Sequence, residues 1–431
     1  MTTAHSTQEA GYMPAARSGL LVRYAIWIAL ALALLVLPHI FSSRLALSTM
    51  SLMGTMIVFA LSYNMLLGQT GLLSFGHAVF FGLGGFVTVH VLNMAGAGGW
   101  PVPLPLYPLV GGLGGLFFGA LFGSIATKRA GTAFAMITLG IGELVVSSAL
   151  ILRRFFGGEE GITTDRTDVA SFLGYSFGPQ IQVYYLIAAW CFVSIAAMYA
   201  ITRTPFGRIS NAVRDNPQRT AFIGYDTRTV RFIAFTLSGL FAGIAGGLSA
   251  INFEIINAAQ MGAVESGSVI LMTYIGGVGN FAGPIIGAIL ITWLQLTLSD
   301  ATQIWPLYVG LLFIGMVMFA PGGIAGLLAK QQPLLAAGSL HRVLPYYLLA
   351  LATGAIAVVG VSILIETSHQ FSIRSAYGPE LMLYYVPFSV ISPTPWLTGL
   401  ALAVGGGWLF LRASRLARAA YDEAIARGRR S

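Results

Sequence analysis

The sequence predicts an all-α polytopic membrane protein with about twelve transmembrane helices. Hydrophobic residues make up 56% of the 431 residues and charged residues only 9%, whereas a soluble chain carries roughly a quarter charged residues. With the N-terminus inside, 18 of the 23 Lys and Arg residues fall on one side of the membrane and five on the other. This bias predicts that both termini are cytoplasmic. It also accounts for the net charge of +8 without a nucleic-acid partner.

The apolar runs give the order of the predicted spans. They lie at 24–41, 45–67, 71–93, 104–127, 132–152, 181–202, 232–250, 263–279, 281–298, 304–320, 343–365 and 395–412. The run at 263–279 contains Glu265 and several glycines, so it either spans the membrane or re-enters it. The polar segment 1–23 precedes a first run that is longer than a signal-peptide core, and we expect that run to remain as an uncleaved span.

The most basic segment between two spans is the loop 203–231. Six arginines lie in it against only two aspartates, which predicts a cytoplasmic position. Asp215 or Asn216 is suited to cap a short helix that starts at Pro217 and stops at Gly224. A helix of two turns is unstable alone. The loop is therefore either an ordinary positive-inside connector or a contact surface for a cytoplasmic partner.

Two glycine-rich stretches interrupt the apolar pattern, one in each half of the chain. The first covers 68–86 and the second covers 274–284. In transporters, broken helices of this kind present backbone groups to the substrate, and the alternative is close helix packing. The candidate path residues in the two stretches are Gly68, Gln69, Gly71, Ser74, Gly76, His77, Gly276, Gly277 and Gly279.

Few side chains are suited to chemistry. Glu143 lies inside the run 132–152, where an ionisable group is either functional or paired with a polar neighbour. Cys191 is the only cysteine, which excludes disulfides within the chain. No cluster of His, Asp and Glu has metal-ligand spacing, and no Gly-Lys pair marks a phosphate-binding loop. We therefore expect no metal, no cofactor and no enzymatic activity, and any ATP hydrolysis must come from another chain.

Five stretches taken together resemble the permease subunits of branched-chain amino acid ABC importers, in particular the Liv M type. The first is the G-x-x-G-x-x-S-x-G-H pattern from Gly68 to His77. The others follow in order: RAGTAFAMITLGIGE (129–143), TPFGRISNAVRDNPQRTAFIGYD (204–226), YIGGVGNFAGPIIGA (274–288) and MFAPGGIAGL (318–327). The chain departs from the family pattern at 157–161, where GGEEG replaces the usual Gly-Gly-x-Asp-Gly.

The resemblance implies a domain organisation. Residues 24–330 form a permease domain of about ten core helices. Residues 331–431 add about two C-terminal transmembrane helices, an external segment at 366–394 and a basic cytoplasmic tail. The glycine stretches would line the path, and Glu143 is a further candidate for it as an ionisable group inside a span. The loop 203–231 would dock on an ATPase through the coupling residues Gly207, Arg208, Arg214, Asp215, Arg219, Ala221 and Gly224.

The resemblance also implies an assembly in the bacterial inner membrane. The expected partners are a second permease subunit, two cytoplasmic ATPase subunits and a periplasmic or extracellular substrate-binding protein. The expected substrates are branched-chain or other apolar amino acids, with urea or short amides as the alternative within the family. A reading from another class is a stand-alone twelve-helix transporter coupled to ions. It would need ionisable residues on its path, and only Glu143, Glu265 and the histidines are available.

Overall fold

The structure, a computed structural model, describes residues 20–98, 102–169, 174–336, 338, 340–378, 380–383 and 386–428. The chain forms two compact units that divide between Gly326 and Leu327. Helices dominate both units, and the strands in the described residues form two short antiparallel pairs. This architecture confirms the predicted class, an all-α polytopic membrane protein.

The helices of the first unit follow the predicted apolar runs. They are α1 (Leu20–Ile40), α2 (Arg44–Thr70), α3 (Ala78–Gly96), α4 (Tyr107–Ala126), α5 (Thr132–Ile151), α6 (Arg153–Phe156), α7 (Gln180–Arg203), α8 (Pro205–Asp215), α9 (Pro217–Phe222), α10 (Thr227–Phe253), α11 (Ala263–Gly276), α12 (Gly283–Ala301) and α13 (Trp305–Phe319). The strands β1 (Ile162–Thr163) and β2 (Ile255–Ile256) pair antiparallel between them. Helix α14 (Gly323–Ala329) follows α13.

Helix length separates the full spans from shorter helices. Within the described residues, nine helices are long and apolar enough to cross a bilayer, and a bent pair that starts with α13 makes a tenth. The apolar part of α1, Tyr24–Ile40, and helix α11 are shorter. At 1.5 Å per residue, α11 is about 21 Å long, less than the ~30 Å of bilayer hydrocarbon. All twelve predicted runs therefore carry helices, but not all twelve helices span alone.

Helix α10 lies at the centre of the first unit, where it packs against α2, α3 and α4. Glycines make this close packing possible. A Cβ added to Gly243 would lie 2.9 Å from Gly115 Cα and would also overlap the Gly111 carbonyl. Small residues at such contacts let helix backbones approach each other in a membrane, where dispersion and backbone contacts hold helices together.

Two breaks interrupt the helices of the bundle, one in each half of the chain. Helix α2 ends at Gly71, whose left-handed φ of +70° stops the helix, and α3 starts only at Ala78. The predicted span 71–93 is therefore wrong in its first seven residues, which are not helical. In the second half, α10 ends at Glu254, with a φ of +56°, and a 3-10 turn at Ala258–Met261 precedes α11.

The second unit contains a long helical hairpin. Its elements are α15 (Gln332–Ala336), α16 (Leu340–Tyr377), β3 (Glu380–Leu383), β4 (Val386–Ser389) and α17 (Thr394–Gly428). Helices α16 and α17 pack antiparallel, with Gly360 against the backbone of 402–403 and Gly354 against Phe410. Within the predicted external segment 366–394, α16 continues to Tyr377 and a β-hairpin follows it.

Candidate functional site

The end of α2 is held by an arginine from α8. The Gly71 amide bonds to the Leu67 carbonyl at 3.0 Å, which leaves the Gly68 carbonyl among the unpaired carbonyls of the last turn. The Arg214 guanidinium donates to that Gly68 carbonyl. A Cβ added to Gly71 would lie 3.1 Å from Arg214 Cγ, so the arginine stem lies against the capping glycine. The predicted path residues Gly68 and Gly71 therefore contact a predicted coupling residue.

The loop 203–231 contains two helices rather than the single one predicted. Thr204 caps α8, and its hydroxyl accepts from the Gly207 amide at 3.4 Å. Asn216 caps α9, and its Oδ1 accepts from the Arg219 amide at 2.9 Å. Gly224 then adopts a φ of +95° with open space around it. The start of α9 at Pro217 and the stop near Gly224 follow the prediction, whereas α8 was not predicted.

The predicted coupling residues divide into an inner and an outer set. Gly207 is buried against the Ile201 carbonyl, and Arg214 points back to α2 with its Nε 3.0 Å from Asp215 Oδ1. The outer set consists of exposed residues: Arg208, Arg219, Ala221 and Gly224. Residues 219–225, which we call the loop tip, also expose Phe222 at 90%, Ile223 at 67% and Tyr225 at 45%. These three apolar side chains were missed because exposure is not visible in a sequence.

His77 is a packed histidine at the start of α3. It is fully buried, and its Nε2 lies 3.0 Å from Ser62 Oγ. Its ring stacks on Phe59 and meets the edge of Tyr63, and Nδ1 has no hydrogen-bond partner in the described part of the chain. In that same part, no group of three His, Cys, Asp or Glu residues is placed to hold a metal ion.

The non-helical segment 71–77 packs directly on α5. The Phe75 amide donates to Thr138 Oγ1 at 3.3 Å, and a Cβ on Gly76 would overlap the Thr138 carbonyl. One residue further, the Ala78 amide donates to Ser266 Oγ at 3.1 Å. The two helix breaks therefore meet inside the bundle. Thr138 and Ser266 were missed because their partners are 63 and 188 positions away.

The second glycine stretch folds against the first. Gly277 has a φ of +117° and packs on the Gly322 carbonyl, whereas Gly279 has open space around it. A Cβ on Gly68 would lie 2.9 Å from the Val278 carbonyl oxygen. Gly276 in turn packs on Gly283. The structure thus brings the two predicted stretches into contact, with Gly68 and Val278 at the junction.

Glu143 does not face the helix breaks. It lies on the exposed face of α5 with Met136, Gly140 and Leu144, and the described residues contain no ion pair to it. The exposed face of α4 is different, because all of its exposed members except Ser124 are large and apolar: Leu109, Leu113, Phe117, Leu121 and Ile125. Glu265 is half-buried in the first turn of α11.

A cavity of about 330 Å³ lies apart from the predicted path. It is formed where the end of α4 meets the start of α10, and its lining is polar apart from Phe232. The lining residues are Ser124, Thr127, Asp226, Arg228, Thr229 and Phe232.

The described residues contain nine or ten helices that are long and apolar enough to cross a membrane, two helix breaks joined inside the bundle and a two-helix basic loop. These features define a multi-pass membrane protein. Residues 45–321 match the family described as the branched-chain amino acid transport system permease component. The chain belongs to that family of ABC importer permeases, which confirms the resemblance found in the sequence.

Individual relatives agree with this assignment. The chain is 26% identical over 299 residues to the high-affinity branched-chain amino acid transport system permease protein LivM of Escherichia coli, covering 64% of this chain and 69% of that protein. The Salmonella typhimurium LivM is 25% identical over the same shares. The autoinducer 2 import system permease protein LsrC of Yersinia pestis is 28% identical over 221 residues, covering 49% of this chain and 59% of LsrC. No solved structure matches.

Proposed function

We propose that this chain is the membrane-spanning permease subunit of an ATP-driven importer for branched-chain or other apolar amino acids. In this proposal the loop tip docks on a cytoplasmic ATPase, and the segments around the two helix breaks form part of the path. A binding protein outside the membrane delivers the substrate. Family membership and the likeness to LivM support the transport class.

The observation that carries the proposal is the exposure of the loop tip. Phe222, Ile223 and Tyr225 are exposed at the end of α9 and are flanked by Arg219 and Arg228. Fully burying a side chain such as Phe or Ile contributes about 1.5–3 kcal/mol of favourable free energy. Here the side chains are exposed, so this free energy would be gained only when a partner covers them. An apolar centre with a charged rim is the usual anatomy of a protein–protein interface.

The exposed face of α5 supports a second permease subunit as a partner. An unpaired carboxylate against lipid at the centre of a span costs about 2.5–3.5 kcal/mol or more. Glu143 and Gly140 on this face would be relieved of lipid contact by a neighbouring subunit and by water in a path between the two. The apolar face of α4, by contrast, suits lipid.

The test is reconstitution with the ATPase subunits and binding protein of the same importer. The double variant Phe222→Ser with Ile223→Ser should lose the co-purifying ATPases and the ATP-dependent uptake of ¹⁴C-leucine. The matched control is Ile40→Ser with Phe41→Ser, a pair exposed at 65% and 54% at the end of α1. We expect this control to keep both properties.

Three results would change the proposal in different ways. Full ATPase retention by the loop-tip variant would contradict the docking site. Leucine accumulation by the chain alone, driven by a proton or sodium gradient, would favour the stand-alone transporter. ATP-dependent uptake of urea or acetamide but not of leucine would keep the importer and change its substrate.

A further inference from the structure

We propose that Arg214 is a positioning residue that transmits movement of the docked loop to the end of α2 and the second glycine stretch. The inference rests on the proposed function, because it assumes that an ATPase moves the loop. It assigns Arg214 a place inside the permease rather than on the docking surface.

The first argument is the chemistry of the α2 end. A helix that stops at a left-handed glycine leaves carbonyls without intrahelical partners and carries the negative end of the helix dipole. The Gly68 carbonyl is such a group, and the Arg214 guanidinium is the cation that satisfies it. A hydrogen bond from a charged donor is stronger than one between neutral groups. The contact therefore joins α8 to α2 firmly.

The second argument is the orientation of the arginine itself. Its Nε is 3.0 Å from Asp215 Oδ1, and its side chain is 37% exposed. The guanidinium is thus held between Asp215 on one side and the Gly68 carbonyl on the other. The planar guanidinium donates in fixed directions, so a rotation of α8 would move the Gly68 carbonyl with it.

The third argument is the lack of space around the α2 end. A Cβ on Gly71 would lie 3.1 Å from Arg214 Cγ, and a Cβ on Gly68 would lie 2.9 Å from the Val278 carbonyl oxygen. The last turn of α2 is therefore packed between the arginine and the second glycine stretch. A displacement of α8 reaches both predicted path segments because no gap absorbs it.

The loop tip is joined to Arg214 by a short rigid route. Helix α9 starts at Pro217, and only Asn216 separates it from the last residue of α8. The Asn216 amide continues the α8 ladder to the Ala212 carbonyl at 2.9 Å, and its side chain caps α9. A movement of the loop tip therefore displaces α8, because no flexible linker lies between the two helices.

The experiment uses the reconstituted complex with ¹⁴C-leucine as the probe. We expect Arg214→Ala to retain the ATPase subunits and the basal ATP hydrolysis of the wild type. Leucine moved per ATP hydrolysed should fall about tenfold, since the charged hydrogen bond is lost. Arg214→Lys should recover part of the coupling because an ammonium also donates to the Gly68 carbonyl. Arg129→Ala, an exposed arginine near the end of α4, is the matched control and should be unchanged.

A second variant keeps the inference testable if Arg214→Ala is unstable. Asp215→Asn removes the ion pair while leaving the Gly68 contact, and its loss of coupling should be smaller than that of the alanine variant. Loss of the ATPases in Arg214→Ala would make Arg214 a docking residue and overturn the inference, while the proposed function would stand. Unchanged coupling in Arg214→Ala would also overturn it. Failure of the wild type to retain ATPases would instead overturn the proposed function.

Discussion

The Ser266 hydroxyl accepts a hydrogen bond from the Ala78 amide at 3.1 Å, and both residues are buried. This bond joins the first turns of α3 and α11, the two helices that start after a break. It is therefore one of the contacts that tie the first half of the chain to the second. The bond also pairs an amide that α3 leaves without an intrahelical partner.

Ser266→Ala should weaken this junction, because it leaves the Ala78 amide buried and unpaired. An unsatisfied buried donor costs about 1–3 kcal/mol, which we expect to see as a lower melting temperature in detergent. Ser51→Ala is the control, since the buried Ser51 hydroxyl has no hydrogen-bond partner in the described residues. An equal decrease in the melting temperature of the two variants would mean that the hydrogen bond from the Ala78 amide does not stabilise the protein.

Substitution by alanine should impair transport at Gly277 but not at Gly279. Gly277 has a φ of +117° and packs on the Gly322 carbonyl, while Gly279 has open space and ordinary dihedrals. A side chain in strained backbone costs of order 1–3 kcal/mol, and the clash at residue 277 adds to it. We expect Gly277→Ala to reduce leucine uptake strongly and Gly279→Ala to leave it near the wild-type rate. Gly277→Leu and Gly71→Leu should abolish uptake without preventing membrane insertion.

Substitutions at Gly224 can distinguish the effect of backbone strain from the effect of contact with the partner. Its φ is +95° and no atom lies within 4 Å of an added Cβ, so this chain itself has room for a side chain. Gly224→Asn should be tolerated because Asn enters left-handed backbone more readily than other non-glycine residues. Gly224→Trp should lose substrate-stimulated ATP hydrolysis or the ATPases themselves, since the ring would lie on the docking surface. Normal transport by the tryptophan variant would leave the loop as a plain connector.

Asp226 makes the start of α10 sensitive to acid. Its pKa is lowered from 3.8, first by the Thr229 hydroxyl and then by the Arg228 amide, which donate at 2.5 Å and 3.0 Å. Because the folded pKa is depressed, the stabilisation is present above the unfolded pKa and is lost as the pH falls through the folded pKa. Hydrogen-exchange protection of the first α10 turn should fall below about pH 4. Asp226→Ser caps without titrating, and its protection should stay constant with pH.

The second unit should be an accessory to transport. The family match ends at residue 321, and the chain divides between Gly326 and Leu327. Truncation after Ala329 keeps α14 complete and should leave measurable leucine uptake in the assembled complex. Complete loss of uptake with the complex still assembled would show that the added helices belong to the path.

Helix positions were predictable because length and hydropathy are local properties of the chain. The cap at Asn216, the proline at Pro217 and the glycine at Gly224 bound α9 as expected. The start of α3 was not predictable from hydropathy. Residues 71–77 belong to the same apolar run as α3, although they are not helical. Only the left-handed backbone of Gly71 ends α2 at that point.

The directions of charged side chains were the part that sequence reasoning could not supply. Arg214 was expected to face an ATPase, but it turns toward the Gly68 carbonyl, 146 positions away. Glu143 was expected on the path, and it lies on the exposed face of α5 rather than at the helix breaks. Both outcomes depend on which helix is the neighbour, and a single sequence does not contain that information.

The length of α2 has a consequence for how this protein can vary. Its 27 residues extend about 40 Å, so the helix is longer than the hydrocarbon layer is thick. One inserted residue would rotate everything beyond it by about 100° and turn the Gly68 carbonyl away from Arg214. The number of residues in α2 therefore fixes the direction in which the Gly68 carbonyl points. The length of α2 can change only by about a whole turn, matched by an equal shift of the loop 203–231 that contacts its end.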